Sequence, residues 1–485
     1  MSRTSLPSPA CDALTSALAA QRRAGRLPAA SAAVARGGQV VWAAADGVAD
    51  ASGGPVGPEH AFRIGSITKT MVAVSVLRLA HAGALTLEDA VGAHLPDAPA
   101  PDATLAQVLS HTAGLPAEPD GPWWERAGGR TWDEVARHRP ITPPGERFHY
   151  SNLGFAVLGR LLEQVHGRPW DQVLRAEVWE PLGMTSTARV PTGPRVAGFA
   201  VHPHADLVHA EPVADYGVMG AAGEVWSTPS DLARLGSWLV AAGPDGAWSA
   251  SDDAVLPVAA RRRMCAPRAL RDEPGAAWTA AYGLGVMVWD CEHGAGDAIG
   301  AARDVSPDED GLEPGRRRRT AGHGGSVPGF QAALRADVET GDVVAMCSSS
   351  TAGAYDPVAL LDVLDAHAPR PAPTAPDDAA ADALALTGTW YWGPAPYTVR
   401  LRRGGLLELT ARGGRGTAFA RAGAGEWVGV EGGYWLGETL RPVERDGRTV
   451  ALDVGTFCFT RSPYAGDTDL PGGPDPDGWR PLPAP

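Results

Sequence analysis

The sequence predicts two domains in series: an α/β (α+β) domain over residues 10–367, with a sheet flanked by helices and a helical subdomain, then a small all-β domain over 384–465. Three observations carry this. Strand-like runs stand at both ends of the first part with helical periodicity between them, so the sheet is assembled from N- and C-terminal pieces. "APRPAPTAPDDAAADA", 368–383, is a Pro/Ala/Asp linker without packing capacity. Beyond it, short aromatic and β-branched runs alternate with Gly-rich turns.

Taken in order, residues 10–25 have the apolar spacing of an amphipathic helix, and "AASAAVARGGQVVWAAADGVAD" after them forms a hairpin about Gly37 and Gly38. From Ile67 to His81 the pattern is helical and closes at Gly83; further helices are expected at 104–110, 152–166 and 229–241. Strands follow at 281–290, 328–337 and 342–349, while "RDVSPDEDGLEPGRRRRT", 303–320, mixes charges without periodicity and is expected to be a solvated loop. "GTWYWG", "YTVRLRRGG", "EWVGVEGGYW" and "TVALDVGTFCFTR" are strands of a barrel or sandwich, with no helix of useful length among them. Residues 466–485 form an irregular tail.

With 485 residues and 44% apolar content the chain has ample material for two or three cores. A net charge of −14 repels nucleic acid and anionic membranes, so neither is expected as a partner. The first residues lack a signal-peptide core and no run approaches the roughly 20 apolar residues of a membrane helix, which gives a cytoplasmic expectation. Cys11, Cys265, Cys291, Cys347 and Cys458 are odd in number and scattered, indicating neither a disulfide framework nor zinc. His202, His204 and His209 in "HPHADLVH" lack a metal-ligand pattern and read as an exposed loop; no metal and no cofactor are expected.

Of 42 basic residues only Lys69 is lysine. Arginine serves wherever a generic positive charge suffices but does not release its proton, whereas a desolvated lysine becomes a neutral base. Lys69 follows Ser66 by three residues, so on a helix opening at Ser66 the amine and the hydroxyl share one face. Ser66 then stands at the positive end of the helix dipole, beside free N–H groups that stabilise developing negative charge. Together these residues make a nucleophile and its proton acceptor.

"GSITKT" is followed by "LSHTAGLP" (109–116), "PPGERFHYSNLGFAVLGRLLEQVHGRPW" (143–170) and "AGHGGSVPGF" (321–330). This ordered set, with "EPLGMTST", "AGEVWSTPSDLARL" and "YGLGV", closely resembles the serine β-lactamase and penicillin-binding protein superfamily over roughly residues 15–365, particularly its class C-like serine hydrolase and esterase branch. The resemblance implies a β-lactamase/transpeptidase-like antiparallel sheet. It makes Ser66 the nucleophile of an acyl-enzyme and Lys69 a proton acceptor. Tyr150 is implied as a base held as phenolate near the lysine, later the acid toward the leaving group, and Asn152 as the residue orienting the substrate amide. "HGGS" stands where the family has K-T-G: Gly324 and Gly325 allow close approach of the strand, the backbone N–H groups of Ser66 and Ser326 form the oxyanion hole, and His323 replaces a carboxylate-binding lysine with a conditional charge. That replacement counts against β-lactam turnover. His111 and Thr112 read as turn-stabilising; Glu224 either faces the cleft as a substrate contact or serves as a cap.

The C-terminal module resembles the lipocalin-like barrel appended to some members, including penicillin-binding-protein-type thioesterases that cyclise nonribosomal peptides, where Arg461 would meet a substrate carboxylate. The leading expectation is therefore a serine hydrolase or acyltransferase acting on an ester, thioester or D-amino-acyl peptide, a small molecule or a chain delivered by a carrier protein. The alternatives are a D-aminopeptidase or D-Ala-D-Ala carboxypeptidase, a weak β-lactamase, and a non-catalytic ligand-binding protein on the same fold.

Overall fold

The computed structural model describes residues 6–240, 254–271, 279–292, 317–353, 355–370, 378–402, 405–411, 415–423, 425–431, 433–464 and 478–481. They fall into two compact units, 1–369 and 370–485.

The first unit is built on an eight-stranded antiparallel sheet: β1 (Ala29–Arg36), β2 (Gln39–Gly47), β3 (Ala269–Arg271), β4 (Thr279–Tyr282), β5 (Met287–Glu292), β6 (Arg317–Val327), β7 (Phe330–Asp337) and β8 (Val343–Ser348). Their spatial order is β2-β1-β8-β7-β6-β5-β4-β3, so the two ends of the unit meet where β1 pairs with β8. β1 reads "AASAAVAR", a composition with weak strand preference, yet both of its faces are buried. Alternation explains this: Ala30, Ala32 and Val34 join one core, Ala29, Ala33 and Ala35 the other. The first core lies beneath α1 (Ser8–Ala24) and the last helix of the unit, Pro357–His367.

The other face carries α2 (Ile67–His81), α3 (Asn152–His166) and α4 (Pro229–Val240). α2 is buried on every side from Ile67 through Leu77, the pattern of a helix driven through a core rather than laid on it. α3 opens at Ser151, whose hydroxyl oxygen accepts from the Gly154 N–H, and closes at Gly167 with φ +65°.

Two sequence expectations are corrected here. Residues 303–316 of the expected solvated loop lie outside the described residues, but 317–320 begin β6, and Arg318 is buried and donates to Asp337, Asp362 and Asp365 at 3.0, 3.2 and 2.7 Å. Three carboxylates supply the compensation that a desolvated guanidinium requires. The second correction concerns the linker. Residues 371–377 are outside the described set, but Asp378–Leu386 form a helix with Ala383 and Leu386 in the core of the second unit.

That second unit is a closed barrel of eight strands from Gly388–Trp392 to Phe457–Thr460, sealed by pairing of Tyr391 with Thr460. Trp390, Phe419, Trp427, Trp435 and Phe459 fill its core. Closure leaves no edge strand to be capped.

Candidate active site

Gly65, at φ +50°, turns the chain from the short strand Phe62–Arg63 into α2 and leaves Ser66 half-buried at the N-cap of the helix. Lys69, one turn later, is 0% exposed. Its Nζ donates to Ser66 Oγ at 2.8 Å, to Asn152 Oδ1 at 2.6 Å and to the Ala222 carbonyl at 2.7 Å. Burial pushes its pKa down to about 7, against the opposing charges of Glu118 and Glu125. The amine thus gives up its proton far more readily than a solvated lysine. A neutral amine has two N–H groups and one lone pair; Asn152 Oδ1 and Ala222 O accept only, so they take the hydrogens and the lone pair is left facing the Ser66 hydroxyl.

Tyr150 stands beside this pair, with Lys69 Nζ 5.0 Å from its ring centroid. Burial raises its phenol above the usual range, opposed by a hydrogen bond with Ser66. Desolvation outweighs that bond, so burial favours the phenol over the phenolate that the resemblance implies. His111 holds the tyrosine in place. Its ring lies against Tyr150 at 4.2 Å between centroids, and its Nδ1 accepts the Ser151 N–H at 3.0 Å, with φ +58° at His111 itself. Asn152 is fixed in turn by its own N–H to the Ala117 carbonyl (2.8 Å) and by Nδ2 to Glu118 Oε1 (2.6 Å).

On the opposite side runs β6. A Cβ added to Gly325 would lie 1.9 Å from the Ile64 carbonyl oxygen and 3.1 Å from the Ser66 nitrogen, and one added to Gly65 would lie 2.7 Å from the Ser326 nitrogen. Only glycine permits this contact, and it packs the backbone of Gly325–Ser326 directly against that of Gly65–Ser66. The exposed Ser326 side chain is incidental to that.

The model of the family described as Beta-lactamase matches residues 14–368. The chain belongs to the Beta-lactamase family. A second model, a domain of unknown function (DUF7586), matches 379–461. Among curated relatives, Esterase EstB of Burkholderia gladioli is 33% identical over 37% of this chain and 51% of its own length; the chain spans about half or less of the curated relatives it matches. Among solved structures, SurE is 26% identical over 93% of this chain and 99% of that one, at TM-score 0.55. D-amino acid amidase of Ochrobactrum anthropi SV3 is 23% identical over 74% and 99%, at TM-score 0.59, a likeness of fold. An esterase and a D-alanyl-D-alanine-carboxypeptidase/endopeptidase are among the relatives matched, and a hydrolase is what membership supports.

Within this family member, the remaining sequence-predicted residues divide. His323 is 1% exposed, with Nδ1–H donating to the Gly324 carbonyl (2.5 Å) and Nε2 accepting from the Tyr282 hydroxyl (2.8 Å). Burial, then the Lys69 charge, push its pKa down to about 3. The conditional charge expected for it is corrected: the ring is neutral and enclosed, so it brings no cation to a substrate carboxylate. Glu224 is 6% exposed and paired with Arg189 Nε at 3.0 Å, which favours its structural alternative over a substrate contact. Arg461 donates to the carbonyls of Ala385, Thr387 and Thr389 and stacks on Trp390 at 3.7 Å. It closes the end of the helix Asp378–Leu386 instead of presenting its charge to a carboxylate.

Glu118 was missed. It sits two residues after "HTAGLP" with no periodic or motif signal, and its carboxylate is held by Trp124 Nε1, which donates to Oε2 at 2.8 Å. Ala222 was illegible too, since a backbone acceptor leaves no mark in side-chain chemistry. His202, His204 and His209 are exposed around the short hairpin Phe199–Val201 and Val208–Ala210. Among the described residues, no helix is long and apolar enough to cross a membrane and no group of three or more His, Cys, Asp or Glu is placed to hold a metal.

Proposed function

We propose that the protein is a serine hydrolase or acyltransferase that attacks an ester, thioester or amide through acyl-Ser66. The contact between Lys69 Nζ and Ser66 Oγ carries this reading. Ser66 Oγ bonds to the substrate carbonyl carbon as its proton passes to Lys69 Nζ, and the N–H groups of Ser66 and Ser326 receive the developing oxyanion. The carbonyl re-forms, the bond to the leaving group breaks, and the proton reaches that group through the Tyr150 hydroxyl. Water, or an amine of the same acyl chain in a cyclising reaction, then releases the acyl group and restores the Ser66 hydroxyl.

The neutral, enclosed His323 weakens the carboxypeptidase and β-lactamase readings, since a substrate carboxylate finds no cation there. A second reading, cleavage of D-amino-acyl amides or esters with a free amine, is favoured by the exposed Glu118 carboxylate next to Asn152, an acceptor suited to an ammonium group. A fluorophosphonate followed by intact-mass measurement tests the nucleophile: one adduct on the wild type and none on folded Ser66→Ala is expected. Labelling of Ser66→Ala at the wild-type rate would end the proposal. Paired D-amino acid esters with free and acetylated amines separate the two readings.

A further inference from the structure

The segment that carries the Ala222 carbonyl is a 3-10 turn, Val218–Ala222, between Gly217 and Gly223. A short turn of this kind holds its shape poorly by itself. Here it is tied at both ends by one carboxylate. Glu224 Oε1 accepts the Tyr216 N–H at 3.3 Å, ahead of the turn, although Glu224 itself stands after it. Its Oε2 accepts from Arg189 Nε at 3.0 Å, and a Cβ at Gly220 would lie 2.5 Å from that oxygen, so the carboxylate is seated against the middle of the turn. Arg189 reaches further, donating Nη2–H to Asp215 Oδ1 at 2.8 Å, and the same oxygen accepts the Gly217 N–H at 2.8 Å. From beneath, Ala221 is nested on α3, where a Cβ at Gly159 would come within 2.4 Å of it.

We propose that the Arg189–Glu224 ion pair is a positioning device for the base: by closing the 216–224 loop it holds the Ala222 carbonyl on Lys69 Nζ and so aims the amine's lone pair at Ser66. This rests on the reading of Ser66 and Lys69 as nucleophile and base. Without the clamp the carbonyl drifts, the amine loses one of the two acceptors that orient it, and the ammonium loses a charge-assisted bond. Acylation slows and Lys69 releases its proton more readily. The other groups facing Lys69 are Tyr150 and Asn152 at the start of α3, His111 before it, His323 on β6, and Glu118 and Glu125. All are unchanged in a clamp variant, so a difference from wild type cancels them.

The test compares wild type, Glu224→Gln, Arg189→Met and the conservative Arg189→Lys. Fluorophosphonate labelling of Ser66 is followed against pH, and melting temperature is followed over the same range, because the latter senses Lys69 protonation without any chemistry at Ser66. Glu224→Gln and Arg189→Met are expected to label about tenfold more slowly at pH 8, with the inflection of both profiles moved about one unit to lower pH, while Arg189→Lys keeps most of the rate. A lowered melting temperature with unmoved inflections would make the pair merely structural and overturn the clamp, as would unchanged labelling. A wild type that takes no label at Ser66 rejects the proposed function alone; the melting profiles then still decide the clamp.

Discussion

Tyr282 donates its hydroxyl hydrogen to His323 Nε2 across 2.8 Å, and this bond decides the character of the strand that faces Ser66. With Nδ1–H given to the Gly324 carbonyl, the neutral imidazole has a single tautomer, and burial disfavours a second proton on Nε2. Nitrogen NMR of the histidine rings should find His323 neutral, with the proton on Nδ1, from pH 5 to 8. A midpoint near 6.5 for that ring would contradict the arrangement.

The acid limb of activity should instead belong to Lys69, with a midpoint near 7. Its proton affinity is lowered from the usual 10.5, so between about pH 7 and 10.5 the unfolded chain binds the proton that the folded one has lost, and stability rises with pH across that window. Lys69→Met removes the linkage. It should abolish acylation and raise stability at pH 6 by about 3 kcal/mol, the gap to wild type closing as pH rises toward 10. Thermal melts at pH 6, 8 and 10 measure this, and a gap that widens with pH would contradict it.

The Tyr150 ring packs against His111, and in the proposed reaction its hydroxyl carries the proton to the leaving group. Tyr150→Phe keeps the ring, so folding and KM should change little while kcat falls by about 10²- to 10⁴-fold. Steady-state kinetics on a short ester would show the split. A rise in KM with kcat retained would mean that the hydroxyl binds substrate instead.

Gly325→Ala should separate Ser66 N from Ser326 N, since its methyl meets the Ile64 carbonyl oxygen at 1.9 Å and backbone must move. Loss of one oxyanion donor predicts about 10²- to 10³-fold slower acylation, with roughly 1–3 kcal/mol of destabilisation from the forced shift. Gly324→Ala is the control, as a Cβ there meets nothing within 4 Å. Equal rates for both variants would contradict the assignment.

Arg461→Ala is expected to act on the barrel and not on catalysis. It strips donors from Ala385, Thr387 and Thr389 and uncovers Trp390, at a cost of about 1–2 kcal/mol. Denaturant melts followed by tryptophan fluorescence should report the loss while ester turnover persists. A specific loss of turnover of carboxylate-bearing substrates would restore the substrate-binding role.

What the amino-acid order settled was whatever is written in local pattern. α1, α2, α3 and α4 appear within two residues of their expected bounds because periodicity and end signals are properties of neighbouring residues. The contact between the lone Lys69 and Ser66 was legible for the same reason, since three residues on a helix suffice to bring the amine and the hydroxyl together. Tertiary structure alone decided how the groups are charged and which are occupied. Tyr150 favours the phenol and His323 the neutral ring because burial outweighs their partners, and burial is summed over segments far apart in the chain. Arg461 read as a substrate contact, and Glu224 as either a contact or a cap, while their neighbours were unknown; Trp390 and Arg189 claim them once the chain has folded. Ala222 and Glu118 enter the site for a still simpler reason: a backbone carbonyl and a loop carboxylate acquire direction only when distant strands and helices fix the segments that bear them.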